Sequence, residues 1–115
     1  MKHINALDLI PVRQHPFDKD KDKDNRVTVR VPKFRNKTMA RLFLPRRKPP
    51  FFSIHLDELG SAVWLSIDGE KNVQEICDEL SERLGEKIEP VEERIPAFIS
   101  KLYQERYVLF RQIME

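Results

Sequence analysis

FFSIHLDELGSAVWLSIDGEKNVQEICDELSERL, residues 51–84, is the stretch from which the rest of the chain takes its shape. Phe52, Ile54 and Leu56 alternate with Phe51, Ser53 and His55, the period of two expected of a half-buried strand. At Asp57 the period lengthens. Asp57 suits an N-cap, because its carboxylate can accept from the backbone N–H groups left free in a first helical turn. Leu59, Val63 and Ile67 then recur at helical spacing with Trp64 one step round, and Gly60 and Ala62 leave room for a close neighbour. Gly69 fits the left-handed exit that other residues adopt at greater cost. Asn72 and Glu75 form a reciprocal capping pair for a second helix, whose inward stripe is Val73, Ile76, Cys77, Leu80 and Leu84, stopped by Gly85. Strand, helix, helix is the result.

Downstream, Pro90 suits the first position of a third helix with the stripe Val91, Ile95, Phe98, Ile99 and Leu102. Pro96 removes a donor inside it, which predicts a kink or a regular part beginning near Ile95. Tyr107 to Arg111 is apolar and β-favouring and predicts a short terminal strand. Upstream, Val27, Val29 and Val31 alternate with polar residues as far as Pro32, and Met39 to Leu44 is a weaker strand candidate stopped by Pro45. Arg46-Arg47-Lys48-Pro49-Pro50 is a stiff connection. The run DKDKDKDN from Asp18 to Asn25 has no apolar face to repay ordering, so a mobile linker is expected there, with Ala6 to Ile10 as an arm able to dock back. Its alternate carboxylates resemble the start of a calcium loop, but the sixth position from Asp18 is Lys23 and the twelfth Val29, where Gly and Glu are needed. The expected fold is α+β: a three-stranded antiparallel sheet, a three-helix bundle and a short C-terminal strand. Residues 1–25 would be arm and charged linker, and 26–115 the domain.

At 115 residues, one domain is the default. The longest apolar run is far short of the ~20 residues that cross a bilayer, and no signal-peptide core is present, so a cytoplasmic protein with no membrane partner is expected. Cys77 is the lone cysteine, which excludes an intrachain disulfide, and it lies on an inward stripe. His3, His15 and His55 make no ligand spacing, three scattered glycines make no phosphate loop, and no nucleophile stands in a catalytic setting. Neither enzyme nor cofactor is expected. Charge is segregated: residues 1–56 carry 14 Lys/Arg against 5 Asp/Glu, and 57–115 carry 7 against 14, or +9 and −7. Arg26, Arg30, Lys33, Arg35, Lys37, Arg41, Arg46, Arg47 and Lys48 follow one another with no acid between. This fits either an anionic partner or neutralisation against the acidic helices.

The block Leu56 to Leu80 carries a likeness. Leu56, Asp57, Glu58, Gly60, Val63, Trp64, Asp68, Gly69, Val73, Glu75 and Ile76 stand in the order and spacing of the PqqD-like family, with Asn72 where that family often has Thr or Ser. The resemblance implies a winged-helix-like domain that recognises the leader of a ribosomally made precursor peptide and presents it to a modifying enzyme, often a radical-SAM maturase. It places the leader between the third strand and the third helix. The positions so implied are Phe51, Ser53, Ile54 and His55 on the strand and Phe98, Lys101, Leu102 and Glu105 on the helix. An extended edge beside a helix is physically suited to strand addition by a peptide. The alternative is a winged-helix nucleic-acid binder gripping phosphates through residues 26–48. Against it, Glu86, Glu89, Glu92 and Glu93 crowd the start of the presumptive recognition helix.

Overall fold

The computed structural model describes residues 5–20, 25–32 and 51–113. In chain order it contains β1 (Pro11–Arg13), β2 (Phe17–Asp20), β3 (Arg26–Pro32), β4 (Phe51–His55), α1 (Glu58–Ser66), α2 (Val73–Leu84), α3 (Val91–Gln104) and β5 (Val108–Phe110), with short 3-10 turns at Ala6–Asp8 and Gly85–Ile88. Strands β2, β3 and β4 form an antiparallel sheet in that order, and β5 pairs antiparallel with β1. The fold is therefore α+β.

Register decides which side chains are buried. Val29 lies opposite both Phe17 and Ile54, and Val31 opposite Phe52, so these residues share the face turned toward the helices. Thr28, Arg30, Ser53 and His55 share the other face. Val27 and Val29 are fully buried beneath α1, where Ser61 Oγ accepts from the Val27 N–H at 2.7 Å and ties sheet to helix. Trp64 anchors the centre of the core, its ring edge-on to Phe17 at 6.0 Å. Around it close Ile67, Ile76, Leu80, Ile95, Ile99 and Val108.

The helix starts follow the capping chemistry. Asp57 Oδ1 accepts from the Gly60 N–H at 2.7 Å, and the Asn72–Glu75 pair closes both ways, at 2.8 and 2.9 Å. α1 ends at Ile67, whose backbone is already extended, so the left-handed exit expected at Gly69 falls two residues later, where Gly69 turns the chain at φ 81°; Gly85 at φ 56° is the C-cap of α2. Pro90 is the cap of α3 rather than its first helical residue. Pro96 is carried inside a helix that begins before it, at Val91, and it forfeits the one intrahelical bond that an N–H there would donate.

The linker expectation is corrected for Asp18–Asp20, which are strand. Phe17 against Trp64 and the Asp18–Arg30 ion pair anchor that strand, and its backbone is satisfied by β3, contacts that no local pattern in a charged run reveals. Residues 21–24 and the strand candidate Met39 to Leu44 lie outside the described residues. The arm docks as expected: the Val73 N–H donates to the Leu9 carbonyl at 2.9 Å, and Pro11 is buried.

Candidate functional site

Strand β4 pairs with β3 on one side, and the hydrogen bonding fixes which of its groups point the other way. The Leu56 N–H donates to the Val27 carbonyl at 2.9 Å. By the alternation of an antiparallel ladder, the main-chain groups of Ile54 and Phe52 also face β3, while those of Phe51, Ser53 and His55 face outward. Among the described residues no strand pairs on that outer side. The side chains of the same three residues lie on the sheet's solvent face. Arg30 stacks over the Phe51 ring at 5.3 Å, and His55 Nδ1 lies 3.0 Å from Thr28 Oγ1. Ile54, half-buried, points the opposite way toward the helices.

Helix α3 packs on α2 and β5, and it approaches the exit of β4 through Phe98. Its Phe98 ring reaches the start of α1: a Cβ built on Gly60 would lie 3.1 Å from Phe98 Cζ and 3.5 Å from Leu56 Cβ. Gly60 is thus the residue that permits this approach. One turn pair later, Glu105 shares a surface cavity with Val31 and Pro32, the register partners of Phe52 and Phe51. Between α1 and α3, next to the exit of β4, opens an apolar cleft of about 270 Å³ lined by Leu59, Gly60, Val63, Ile88, Ile95 and Phe98, with Asp57 and Arg94 at its polar margin. Of the helix residues nominated from sequence, Phe98 lines this cleft, Lys101 and Glu105 are exposed, and Leu102 is drawn into the core at 4 % exposure. Leu102 therefore offers no side chain to a visitor.

Two residues of this region lie outside the contact set nominated from sequence. Phe52 is on the helix-facing side of β4 yet 54 % exposed, so burial inferred from alternation fails at the strand's first turn toward solvent. Arg94 lies one turn before Phe98; the i, i+4 spacing was the available signal. Cys77 is buried, and burial raises its thiol pKa, with help from the Asp78 and Glu92 charges, which suits a core residue and not a nucleophile. Among the described residues no group of His, Cys, Asp or Glu is arranged to hold a metal ion, and no helix is long and apolar enough to cross a membrane. Of the basic run, Arg26 and Arg30 are described, and Arg30 is engaged by Asp18 and Phe51; nothing in the geometry favours nucleic acid.

Comparison with curated proteins and with solved structures gives no significant match. A protein-family model does match: that of Coenzyme PQQ synthesis protein D (PqqD), over residues 52–108. The match runs from β4 to the first residue of β5 and so contains the outward strand edge, all three helices and the apolar cleft. On that match, and on the order of strand and helices it spans, residues 52–108 form a PqqD-like domain.

Proposed function

We propose that this protein is a non-catalytic module that captures the leader of a ribosomally made precursor peptide by strand addition along β4 and presents it to a modifying enzyme, for which a radical-SAM maturase is the candidate. The observation that carries this reading is the outward main-chain edge of Ser53 and His55, on which no strand pairs among the described residues. An incoming strand would exchange hydrogen bonds with that edge and set alternate side chains against Ile54 and Phe98. The family match supports a role in precursor-peptide handling of the PQQ-synthesis type. Phe51, Ser53, Ile54, His55, Phe98, Lys101 and Glu105 form the proposed contact set; Leu102 supports it from within.

His55→Pro tests the edge directly. Proline deletes an outward donor while leaving the β3-facing bonds of Ile54 and Leu56 in place. Precursor leader recovered with the wild-type chain from native extract, then labelled and titrated, should bind the variant at least about tenfold more weakly, with the helical circular dichroism unchanged. Equal affinity would sink strand addition.

A further inference from the structure

Four residues of α3 fall on one narrow stripe. Arg94, Phe98, Lys101 and Glu105 are spaced by four, three and four, so they stack on a single face next to the buried stripe of Ile95, Ile99 and Leu102. The acidic residues of the helix start, Glu92 and Glu93, lie well round from that face at 100° per residue. Two cations thus flank the aromatic ring that borders the apolar cleft.

Neither cation is neutralised. Arg94 spends one donor on the Lys87 carbonyl at 3.0 Å, and among the described residues neither it nor Lys101 has a carboxylate partner. Asp57 is the acid nearest the cleft, and its Oδ1 is committed to the Gly60 N–H at the positive end of α1. On the strand side, apolar Leu56 lies against Gly60 of the cleft wall. Apolar floor, aromatic centre and unpaired cations on both sides make a surface complementary to an extended peptide in which an apolar residue is bracketed by carboxylates. At the far end Glu105 reverses the sign.

We infer that the stripe Arg94–Phe98–Lys101 selects a peptide segment of the pattern acidic, apolar, acidic, with the apolar side chain entering the cleft between α1 and α3. The inference rests on the peptide-capture reading and adds to it the chemistry of the ligand. Recognition is then partly electrostatic, and the salt dependence of binding reports it.

Three fluorescein-labelled twelve-residue peptides with the same central Phe and β-favouring background test this on the full chain: Asp/Glu, Asn/Gln or Lys at the flanking positions. At low salt the acidic peptide should bind about tenfold more tightly than the neutral one, and the Lys peptide most weakly. The double variant Arg94→Gln, Lys101→Gln should erase that order; Lys101→Glu alone, on an exposed side chain, should shift the order toward the Lys peptide. If all three peptides bind equally and His55→Pro weakens them together, charge selection is wrong while capture at the edge stands. If none binds, or if His55→Pro weakens none of them, both fail.

Discussion

His15, between β1 and β2, meets Tyr107 edge-on at 5.8 Å and shares a cavity with Glu105 and Arg106. Burial lowers its pKa below the ordinary 6.5, and a backbone hydrogen bond with Arg106 opposes the shift only in part. The unfolded chain therefore binds this proton more readily than the folded one. The stability it contributes is full above the ordinary value and is lost as the pH falls through the depressed folded value. Urea midpoints measured between about pH 7.5 and 5 should decline on the acid side, and His15→Phe, which keeps a ring against Tyr107 but cannot titrate, should flatten that decline. A slope unchanged by the substitution would assign the acid loss elsewhere. Nothing near His15 in sequence announces this environment; it is made by residues about ninety positions away. Asp57 and Gly69 were legible because their partners lie within three residues or their own φ decides. The exposure of Phe52 was not legible for the opposite reason, since it depends on how far the helices extend over the sheet.

At the scale of elements, α2 is the most self-specified part of the chain. Its reciprocal cap and its buried stripe Val73, Ile76, Cys77 and Leu80 agree, and Lys71 and Arg83 both reach Glu79 along its surface, at 2.5 and 3.5 Å. Asn72→Ala removes the acceptor for the Glu75 N–H and loosens the return bond to its own N–H. A loss of about 1 kcal/mol in chemical denaturation is expected, whereas Asn72→Thr should stay within about 0.5 kcal/mol because its hydroxyl can still cap. Equal effects of the two would mean that the cap is irrelevant there. The same contrast explains which elements were legible. Helices carry their starts, stops and faces in contiguous sequence, and all three were found, with α3 shifted by one residue at Pro90. Strand β2 was missed because its apolar content is Phe17 alone, and the remainder pairs with β3 through backbone and through charge that reads locally as linker.

For the molecule as a whole, the ion pairs seen among the described residues lie within each half of the segregated charge and do not join the two. They join Arg30 with Asp18 inside the basic half, and Lys71, Arg83 and Arg111 with Asp68, Glu79 and Glu70 inside the acidic half. What binds the two ends of the chain together is instead backbone and apolar contact. β1 pairs with β5 from Pro11 opposite Phe110 to Arg13 opposite Val108, Gln112 brackets the arm by accepting from the Ile10 N–H and donating to the Asp8 carbonyl, and Leu9 supplies the carbonyl that the first N–H of α2 needs. Deleting residues 1–13 strips β5 of its partner and exposes Val108 and Phe110, which are at most 7 % exposed in the intact fold. A loss on the order of 3 kcal/mol is expected from the apolar area and the orphaned backbone groups together. The sheet β2-β3-β4 keeps its own ladder, so peptide affinity measured at a temperature where the shortened chain is still folded should be unchanged. Folding and binding would then separate along the chain: the arm closes the helices from behind, and the edge of β4 remains to meet a visitor in front. A shortened chain that keeps its stability but no longer binds would reverse that division and place the arm at the peptide site.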